Sequence, residues 1–253
     1  MIGIALSGGG ARGISHLGVL KALKENGIQP DIISGTSAGA IIGGFYCDGF
    51  SPDEILNILI KTKILAIFKP AFSWKGLLSM DKLATILKEH LPISFEKLST
   101  PLIVAATDIE AGKIHYFEDG DLSNAIIASS CVPVLFDPIV IEGIKYIDGG
   151  ILNNVPVEAL VTKAKKIISV GCNPISANHP INTFKDVMER SALLAINANS
   201  MKSRALSHLF IEPPDLAQFS GFDLSKSKEI FESGYRFTSQ NIANFAQKLN
   251  LAI

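Results

Sequence analysis

The chain has 253 residues and a formal net charge of −1, with 47% hydrophobic and 19% charged residues. This apolar composition excludes an intrinsically disordered chain, and the length suffices for one α/β domain with a substantial core. The near-zero net charge excludes the basic field of a nucleic-acid-binding protein and predicts only weak attraction to anionic membranes.

The first predicted element is a short buried strand, residues 2–7, which a run of glycines ends abruptly. The glycine loop covers residues 8–13, and apolar residues then recur at helical spacing as far as a stop at Gly27. A strand, a glycine loop and a helix N-terminus together form an anion site, because backbone N–H groups converge where no side chain blocks approach. The anion is either a dinucleotide pyrophosphate or the oxyanion of a tetrahedral intermediate.

The dinucleotide interpretation makes a further demand on the second strand. Gly8, Gly10 and Gly13 fit the G-x-G-x-x-G pattern, but that fold also needs an acidic residue about 20 positions later, at a strand end, to hold the ribose. Asp31 lies near this distance, yet it opens the second strand instead of ending it. The sequence therefore favours the oxyanion interpretation.

The second strand runs into a G-x-S-x-G pentapeptide, Gly35-Thr36-Ser37-Ala38-Gly39, and a helix of small residues follows it. A serine hydroxyl is a weak nucleophile unless a sharp strand-to-helix turn exposes it beside a base, and only small flanking residues permit such a turn. The helix N-terminus also directs N–H groups toward the serine, where negative charge develops during ester attack. The pattern favours Ser37 as a nucleophile, while its residue types taken alone also fit an ordinary turn.

A segment with weak periodicity follows the helix that begins at Ser51-Pro52. Residues 64–78 contain the only tryptophan, Trp74, together with phenylalanines and flanking lysines. Two interpretations stay open for the part between Phe68 and Leu78. Its aromatic side chains either insert into the core, or residues 68–78 form a lid or an interfacial segment that contacts a lipid surface.

Strands and helices continue to alternate along the rest of the chain. The predicted elements are a strand at residues 101–108 with a hairpin through Gly112, a helix at residues 122–130, a helix from Pro156, a strand at residues 166–170 and helices at residues 184–203 and 225–249. Such alternation predicts an α/β fold with a mostly parallel central sheet and helices on both faces, in three layers. We expect a single domain over residues 1–253, with a core at about 2–172 and a helical part at about 173–253.

An aspartate followed by two glycines, Asp148-Gly149-Gly150, comes after a later apolar stretch. Asp-Gly is an ordinary turn signal, so the triplet alone predicts a turn. The glycine loop and Ser37, however, are two further glycine-flanked sites at strand ends. Strand ends in an open parallel sheet lie along one edge, where ligands bind, and we expect the three sites there.

Taken in chain order, these motifs resemble the patatin-like phospholipase family. The resemblance is closest over residues 2–172. It implies a Ser–Asp dyad that hydrolyses acyl esters of lipids, with Ser37 as the nucleophile and Asp148 as the base. It also implies an oxyanion hole at Gly8, Gly9, Gly10 and Ala11, with a supporting motif of Arg12, Gly13, Gly35, Gly39, Gly149 and Gly150.

The rival mechanism is a Ser–His–Asp triad in which the histidine follows the acid, and it leaves His179 and His208 as candidates. Neither has the glycine-flanked setting typical of a catalytic histidine, and we expect His16 to be a hydrogen-bonded helix residue. Arg12 has two candidate roles: it either steadies the glycine loop or pairs with a lipid phosphate.

The sequence thus predicts a serine acyl hydrolase of phospholipase A or lysophospholipase type that works through an acyl-enzyme. A thioesterase or soluble carboxylesterase with the same dyad, and a non-catalytic lipid-binding module, are the alternatives. Cys47, Cys131 and Cys172 show neither paired spacing nor a metal pattern, so we expect free thiols, no metal and no cofactor. With no N-terminal signal and no apolar run of about 18 residues, the prediction is a cytoplasmic protein with peripheral membrane contact through residues 68–78.

Overall fold

The chain folds around one β-sheet, which a computed structural model describes for residues 1–62, 80–133, 135–177, 181–221 and 224–251. Within these ranges the strands are β1 (Ile2–Leu6), β2 (Ile32–Thr36), β3 (Leu102–Asp108), β4 (Lys113–Phe117), β5 (Ile139–Ile141), β6 (Ile144–Asp148), β7 (Lys166–Val170) and β8 (Leu209–Ile211). The α-helices are α1 (Ser15–Glu25), α2 (Ala38–Cys47), α3 (Pro52–Thr62), α4 (Asp81–His90), α5 (Leu122–Ser130), α6 (Phe184–Leu206) and α7 (Ser227–Lys248). The helix predicted from Pro156 is instead a short 3-10 segment, Val157–Leu160.

The sheet has a parallel centre and an antiparallel edge. Its strand order is β5-β6-β3-β2-β1-β7-β8, with β4 also paired to β3. The strands from β3 to β8 along this order run parallel to one another, whereas β4, β5 and β6 pair antiparallel. The predicted α/β fold with helices on both faces is confirmed, and its sheet is mixed.

Alternating side chains of the central strands enter two different cores. On β1, Ile4 and Leu6 belong to a large cluster that also contains residues of α1, α2 and α7. Ala5, between them, points to the opposite face, where a smaller cluster is closed by the 3-10 segment Val157–Leu160. All three residues are fully buried because both faces of a central parallel strand are covered.

The chain beyond residue 172 contributes to the sheet as well as to the helical layers. It was predicted to be helical, but β8 pairs parallel with β7 at the sheet edge. Helix α7 packs against α1 at two glycines: a Cβ atom on Gly18 would lie 2.1 Å from the Phe231 carbonyl oxygen, and one on Gly234 would lie 2.2 Å from the Ser15 carbonyl oxygen. The two helix backbones are therefore in direct contact.

Helix α6 has an unusual distribution of side chains. Its outer surface exposes Phe184 (79%) and Met201 (71%), with Val187, Met188 and Leu194 also exposed. Among its described side chains, those that are buried belong to Ser200 and Ser203. The helix is therefore amphipathic in the reverse sense, with polar groups facing the protein and apolar groups facing outward.

Two predictions lie outside the described residues. These are the interfacial segment at residues 68–78 and the triad candidate His179. Among the helices that the structure describes, none combines the length and apolar character needed to cross a membrane.

Candidate active site

Ser37 lies on a strained turn between β2 and α2. Its backbone dihedrals are φ 52° and ψ −120°, a conformation that residues with a side chain rarely adopt. The Ser37 N–H donates to Ser129 Oγ at 2.8 Å, and that hydroxyl donates to the Ala105 carbonyl oxygen at 2.6 Å. These bonds anchor the turn to α5 and β3, so the strain is held by the surrounding structure.

Asp148, at the end of β6, is the side chain that meets Ser37. The Gly150 N–H donates to Asp148 Oδ1 at 2.7 Å, and Thr107 Oγ1 donates to the Asp148 carbonyl oxygen at 3.0 Å. Burial raises the pKa of Asp148 to about 6, while hydrogen bonds from the Gly150 N–H and the Ser37 side chain oppose part of that rise. A carboxylate with this pKa is ionised at neutral pH and accepts a proton more readily than an exposed one.

The register of β3 explains why the two side chains meet. Thr36, the last residue of β2, pairs with Ala105, and Asp148, the last residue of β6, pairs with Ala106. Strands β2 and β6 run in opposite directions, so their carboxyl ends approach each other along β3. Asp148 thus reaches the predicted edge from an antiparallel strand rather than from a parallel one.

The glycine loop lies against Ser37, and two of its backbone N–H groups have no hydrogen-bond acceptor among the described residues. A Cβ atom on Gly8 would lie 3.2 Å from the Ser37 Cβ atom, so the loop backbone is next to the serine. The Gly8 N–H donates to the Asn154 carbonyl oxygen at 3.1 Å, and the Ala11 N–H donates to the Gly221 carbonyl oxygen at 2.7 Å. Within the described ranges, the N–H groups of Gly9 and Gly10 have no acceptor.

The supporting glycines occupy places where a side chain would collide with neighbouring atoms. The distances from a Cβ atom placed on each glycine to its nearest neighbour are 2.6 Å at Gly13, 2.6 Å at Gly35, 2.3 Å at Gly39, 2.2 Å at Gly149 and 2.9 Å at Gly150. These close approaches bring the three motifs together around Ser37.

Arg12 lines a cleft beside the glycine loop. The cleft is also lined by Gln218, Gly221 and Arg190. The Arg12 Nε atom is buried and has no hydrogen-bond partner in the part of the chain that the structure describes. Burial lowers the pKa of Arg12, and Cys172, Glu189 and Glu212 act in the opposite direction. Both roles considered for Arg12, loop support and phosphate pairing, stay predictions.

His16 and His208 are each engaged in a hydrogen bond with a backbone group. His16 is fully buried and its Nε2 donates to the Ser7 carbonyl oxygen at 2.9 Å, while burial lowers its pKa to about 4. His208 precedes β8 and its Nδ1 accepts from the Ile167 N–H at 3.1 Å. Ile167 pairs with Gly3 at the start of β1, so His208 lies at the sheet edge opposite to Ser37. Across the described ranges, no group of three or more His, Cys, Asp or Glu side chains is arranged to hold a metal ion.

Comparison with known proteins places these motifs in a family. A sequence model described as "Patatin-like phospholipase" matches residues 4–161, which include the glycine loop, Ser37 and Asp148. The chain belongs to the patatin-like phospholipase family. Its relatives in the family include an "uncharacterized NTE family protein" of Mycobacterium tuberculosis, 35% identical over 68% of this chain and 49% of that protein.

Another relative, named lysophospholipase NTE1, from Kluyveromyces lactis, is 27% identical over 99% of this chain and 20% of its own length. The chain thus spans half or less of these relatives. Among solved structures, VipD from Legionella pneumophila matches 96% of this chain and 66% of its own, with a TM-score of 0.53 and 18% identity. The resemblance to VipD shows that the two proteins share a fold.

Several residues next to this site were not predicted from the sequence. Asn173 donates to the Gly8 carbonyl oxygen at 2.6 Å, and Gly221 accepts from the Ala11 N–H. Both residues lie beyond residue 161, where the family match ends. Ser129 is a third such residue, because nothing in its local sequence signals a bond to the Ser37 N–H.

Proposed function

We propose that this chain is a lipid acyl hydrolase in which Ser37 is the nucleophile and Asp148 is the base. The observation that carries the proposal is the interaction of the Ser37 and Asp148 side chains, in which the serine is strained and the carboxyl group is buried with a raised pKa. Membership of a phospholipase family supports lipid carboxyl esters as the substrate class.

In the first half of the reaction, Ser37 Oγ attacks the ester carbonyl carbon while its proton passes to the Asp148 carboxylate. The N–H groups of Gly9 and Gly10 hold the oxyanion of the tetrahedral intermediate, because the N–H groups of Gly8 and Ala11 already have acceptors. When the intermediate collapses, the bond to the alcohol breaks and the protonated Asp148 gives its proton to the leaving oxygen. The acyl group stays on Ser37.

In the second half, a water molecule attacks the acyl-enzyme and Asp148 accepts the water proton. The second tetrahedral intermediate uses the same oxyanion donors and releases the fatty acid as Ser37 recovers its proton. The dyad needs no histidine, which is consistent with the distant His208 and with the buried His16, whose Nε2 is bound to Ser7.

A lysophospholipid is the narrower substrate that we propose. The relative from Kluyveromyces lactis that is named a lysophospholipase aligns with almost the whole chain. A thioesterase or soluble carboxylesterase would use the same dyad. Rates measured on a lysophospholipid, an acyl thioester and a soluble ester distinguish these activities.

A fluorophosphonate probe tests the nucleophile directly. We expect one covalent adduct per chain, located on Ser37 by mass spectrometry, and no adduct in Ser37→Ala. Ser130→Ala is the matched control, because Ser130 is also buried and its hydroxyl has no hydrogen-bond partner among the described residues. An adduct at another residue, or none in the folded protein, would overturn the assignment and favour a non-catalytic lipid-binding module.

Peripheral membrane contact through residues 68–78 also stays a proposal, and so does a cytoplasmic location. Trp74 is the only tryptophan, so its fluorescence reports on this segment alone. A blue shift on addition of lipid vesicles supports the contact. If the spectrum is unchanged while the vesicles are hydrolysed, the segment is not the contact.

A further inference from the structure

Three donors converge on the carbonyl oxygen of Gly8, the first residue of the glycine loop. Asn173 Nδ2 lies 2.6 Å from this oxygen, Asn154 Nδ2 lies 3.3 Å from it and Cys172 Sγ lies 3.4 Å from it. The N–H of Gly8 is held as well, since it donates to the Asn154 carbonyl oxygen at 3.1 Å. Of the three bonds to the Gly8 oxygen, the one from Asn173 is the shortest.

The Gly8 carbonyl group and the Gly9 N–H belong to the same peptide unit. A trans peptide is planar and its C=O and N–H bonds point in opposite directions, and the described part of the chain contains no cis peptide. Fixing the direction of the Gly8 C=O therefore fixes the direction of the Gly9 N–H. That N–H points away from Asn173 and has no acceptor among the described residues.

Asn173 is itself held firmly from the C-terminal part of the chain. Its N–H donates to Glu212 Oε1 at 3.3 Å, and its carbonyl oxygen accepts from Asn197 Nδ2 at 2.8 Å. Arg204 in turn donates to Glu212 Oε2 at 2.7 Å. The Asn173 backbone is therefore held both by Glu212, the residue after β8, and by α6.

The buried side-chain oxygen of Asn173 lowers the stability of the fold, and this loss of stability indicates that Asn173 has a function. Asn173 is buried, and its Oδ1 has no hydrogen-bond partner in the described ranges. Exchanging the amide oxygen and nitrogen would set two oxygens 2.6 Å apart, so the donor must face Gly8. A buried unpaired oxygen destabilises the fold, and such groups in native structures call for an explanation.

We propose that Asn173 is a positioning residue for ester hydrolysis, which aims the Gly9 N–H at the oxyanion by holding the Gly8 carbonyl group. Asn173 does not touch the substrate and acts only through the loop peptide. This inference rests on the proposed function, because it requires an oxyanion formed next to Ser37.

The test compares Asn173→Ala with Asn153→Ala, which removes another buried asparagine amide whose donors go to Tyr116 and Glu158. For a soluble short-chain ester we expect Asn173→Ala to lower kcat at least about tenfold, with KM within about twofold, since removing an oxyanion donor outright costs about 10²–10³-fold. We expect Asn153→Ala to keep kcat within about threefold.

Inhibitor binding separates positioning from a general structural effect. A trifluoromethyl ketone forms a tetrahedral adduct with a catalytic serine, so its affinity should fall by the same factor as kcat/KM in Asn173→Ala. If Asn173→Ala does not fold, Asn173→Leu removes the donor at a similar side-chain volume and should give the same two losses. A folded variant with normal kcat, or a lower kcat with unchanged inhibitor affinity, overturns the inference.

Ser37→Ala keeps the two proposals distinguishable. If Ser37→Ala is active, the proposed function itself fails. If Ser37→Ala is inactive while both Asn173 variants retain full kcat, only the positioning role fails.

Discussion

The Asp148 carboxyl group sets the expected pH dependence of the reaction. Burial raises its pKa to about 6, and only the ionised form accepts a proton from Ser37. On a soluble ester, kcat/KM should therefore fall about tenfold per pH unit below pH 6 and level off above it. A pH–rate profile measures this decline of kcat/KM at acidic pH. Because an unperturbed histidine titrates near pH 6.5, the profile alone does not separate dyad from triad.

Substitution of Asp148 distinguishes the Ser–Asp dyad from the Ser–His–Asp triad. Asp148→Asn keeps the shape but removes the proton acceptor, so we expect kcat to fall by about 10²–10⁴-fold with the circular dichroism spectrum unchanged. His16→Gln and His208→Gln are the controls and should retain measurable turnover. A histidine variant as inactive as Asp148→Asn, and still folded, would establish a triad instead.

The raised pKa of Asp148 also makes a prediction about stability. A carboxyl group whose pKa rises from 3.8 to about 6 on folding binds its proton more tightly when folded, so its contribution to stability decreases as pH rises through this window. The loss reaches up to about 3 kcal/mol above pH 6. Asp148→Asn should therefore unfold at a higher temperature than the wild type at pH 8, with little difference at pH 4. A lower unfolding temperature at pH 8 would contradict this.

Single residues show how much of the candidate site could be predicted from the sequence. Ser37 and Asp148 were predicted because their flanking glycines form local motifs, and the structure brings the two side chains together. Asn173 was missed because its partner Gly8 is 165 positions away, and no local pattern signals a hydrogen bond over that separation. Contacts made through the fold, rather than through a motif, were not predictable.

At the scale of elements, the glycine loop can be tested by substituting Gly10, with Gly27, which lies outside the loop, as a control. Both glycines have φ values in the left-handed region. Gly10 has φ +57°, and a Cβ atom there would lie 2.3 Å from the Gly221 carbonyl oxygen. Gly10→Ala should lower kcat by about 10²-fold, because the displaced loop no longer presents its N–H groups. Gly27, with φ +74° and open space around it, is the control. Gly27→Ala should cost about 1 kcal/mol of stability and leave kcat unchanged.

The direction of β6 was not predicted, although a signal for it exists. Alternating apolar residues define a strand but not its orientation, so the apolar stretch before Asp148-Gly149-Gly150 was given no direction. Glu142 and Gly143, between β5 and β6, have φ values of 51° and 84°. Positive φ at both central residues is the geometry of a type I′ hairpin turn, for which a glycine is a common cue. The short spacing of β5 and β6 therefore indicated an antiparallel pair.

At the scale of the whole molecule, α7 supports the helix that follows the glycine loop. Alanine in a helix is ordinarily favoured over glycine by about 1 kcal/mol. Gly234→Ala should nevertheless lower the stability by about 1–3 kcal/mol, because its Cβ atom would meet the Ser15 backbone at 2.2 Å. Gly44→Ala is the matched control, since its Cβ atom would meet only the ends of the Ile126 and Leu91 side chains and no backbone atom. Thermal unfolding compares the two, and a larger loss in Gly44→Ala would contradict the prediction.

Helix α6 is held to the protein mainly by hydrogen bonds. Its buried described residues are serines, and Asn197 and Asn199 bond to the carbonyl oxygens of Asn173 and Gly150. Burial of apolar surface, which stabilises α2, contributes little here. Local opening of α6 should therefore need much less free energy than global unfolding, and its amide protons should exchange with deuterium well before those of α2. Each opening would release the side chains that anchor Asn173 and the turn after Asp148.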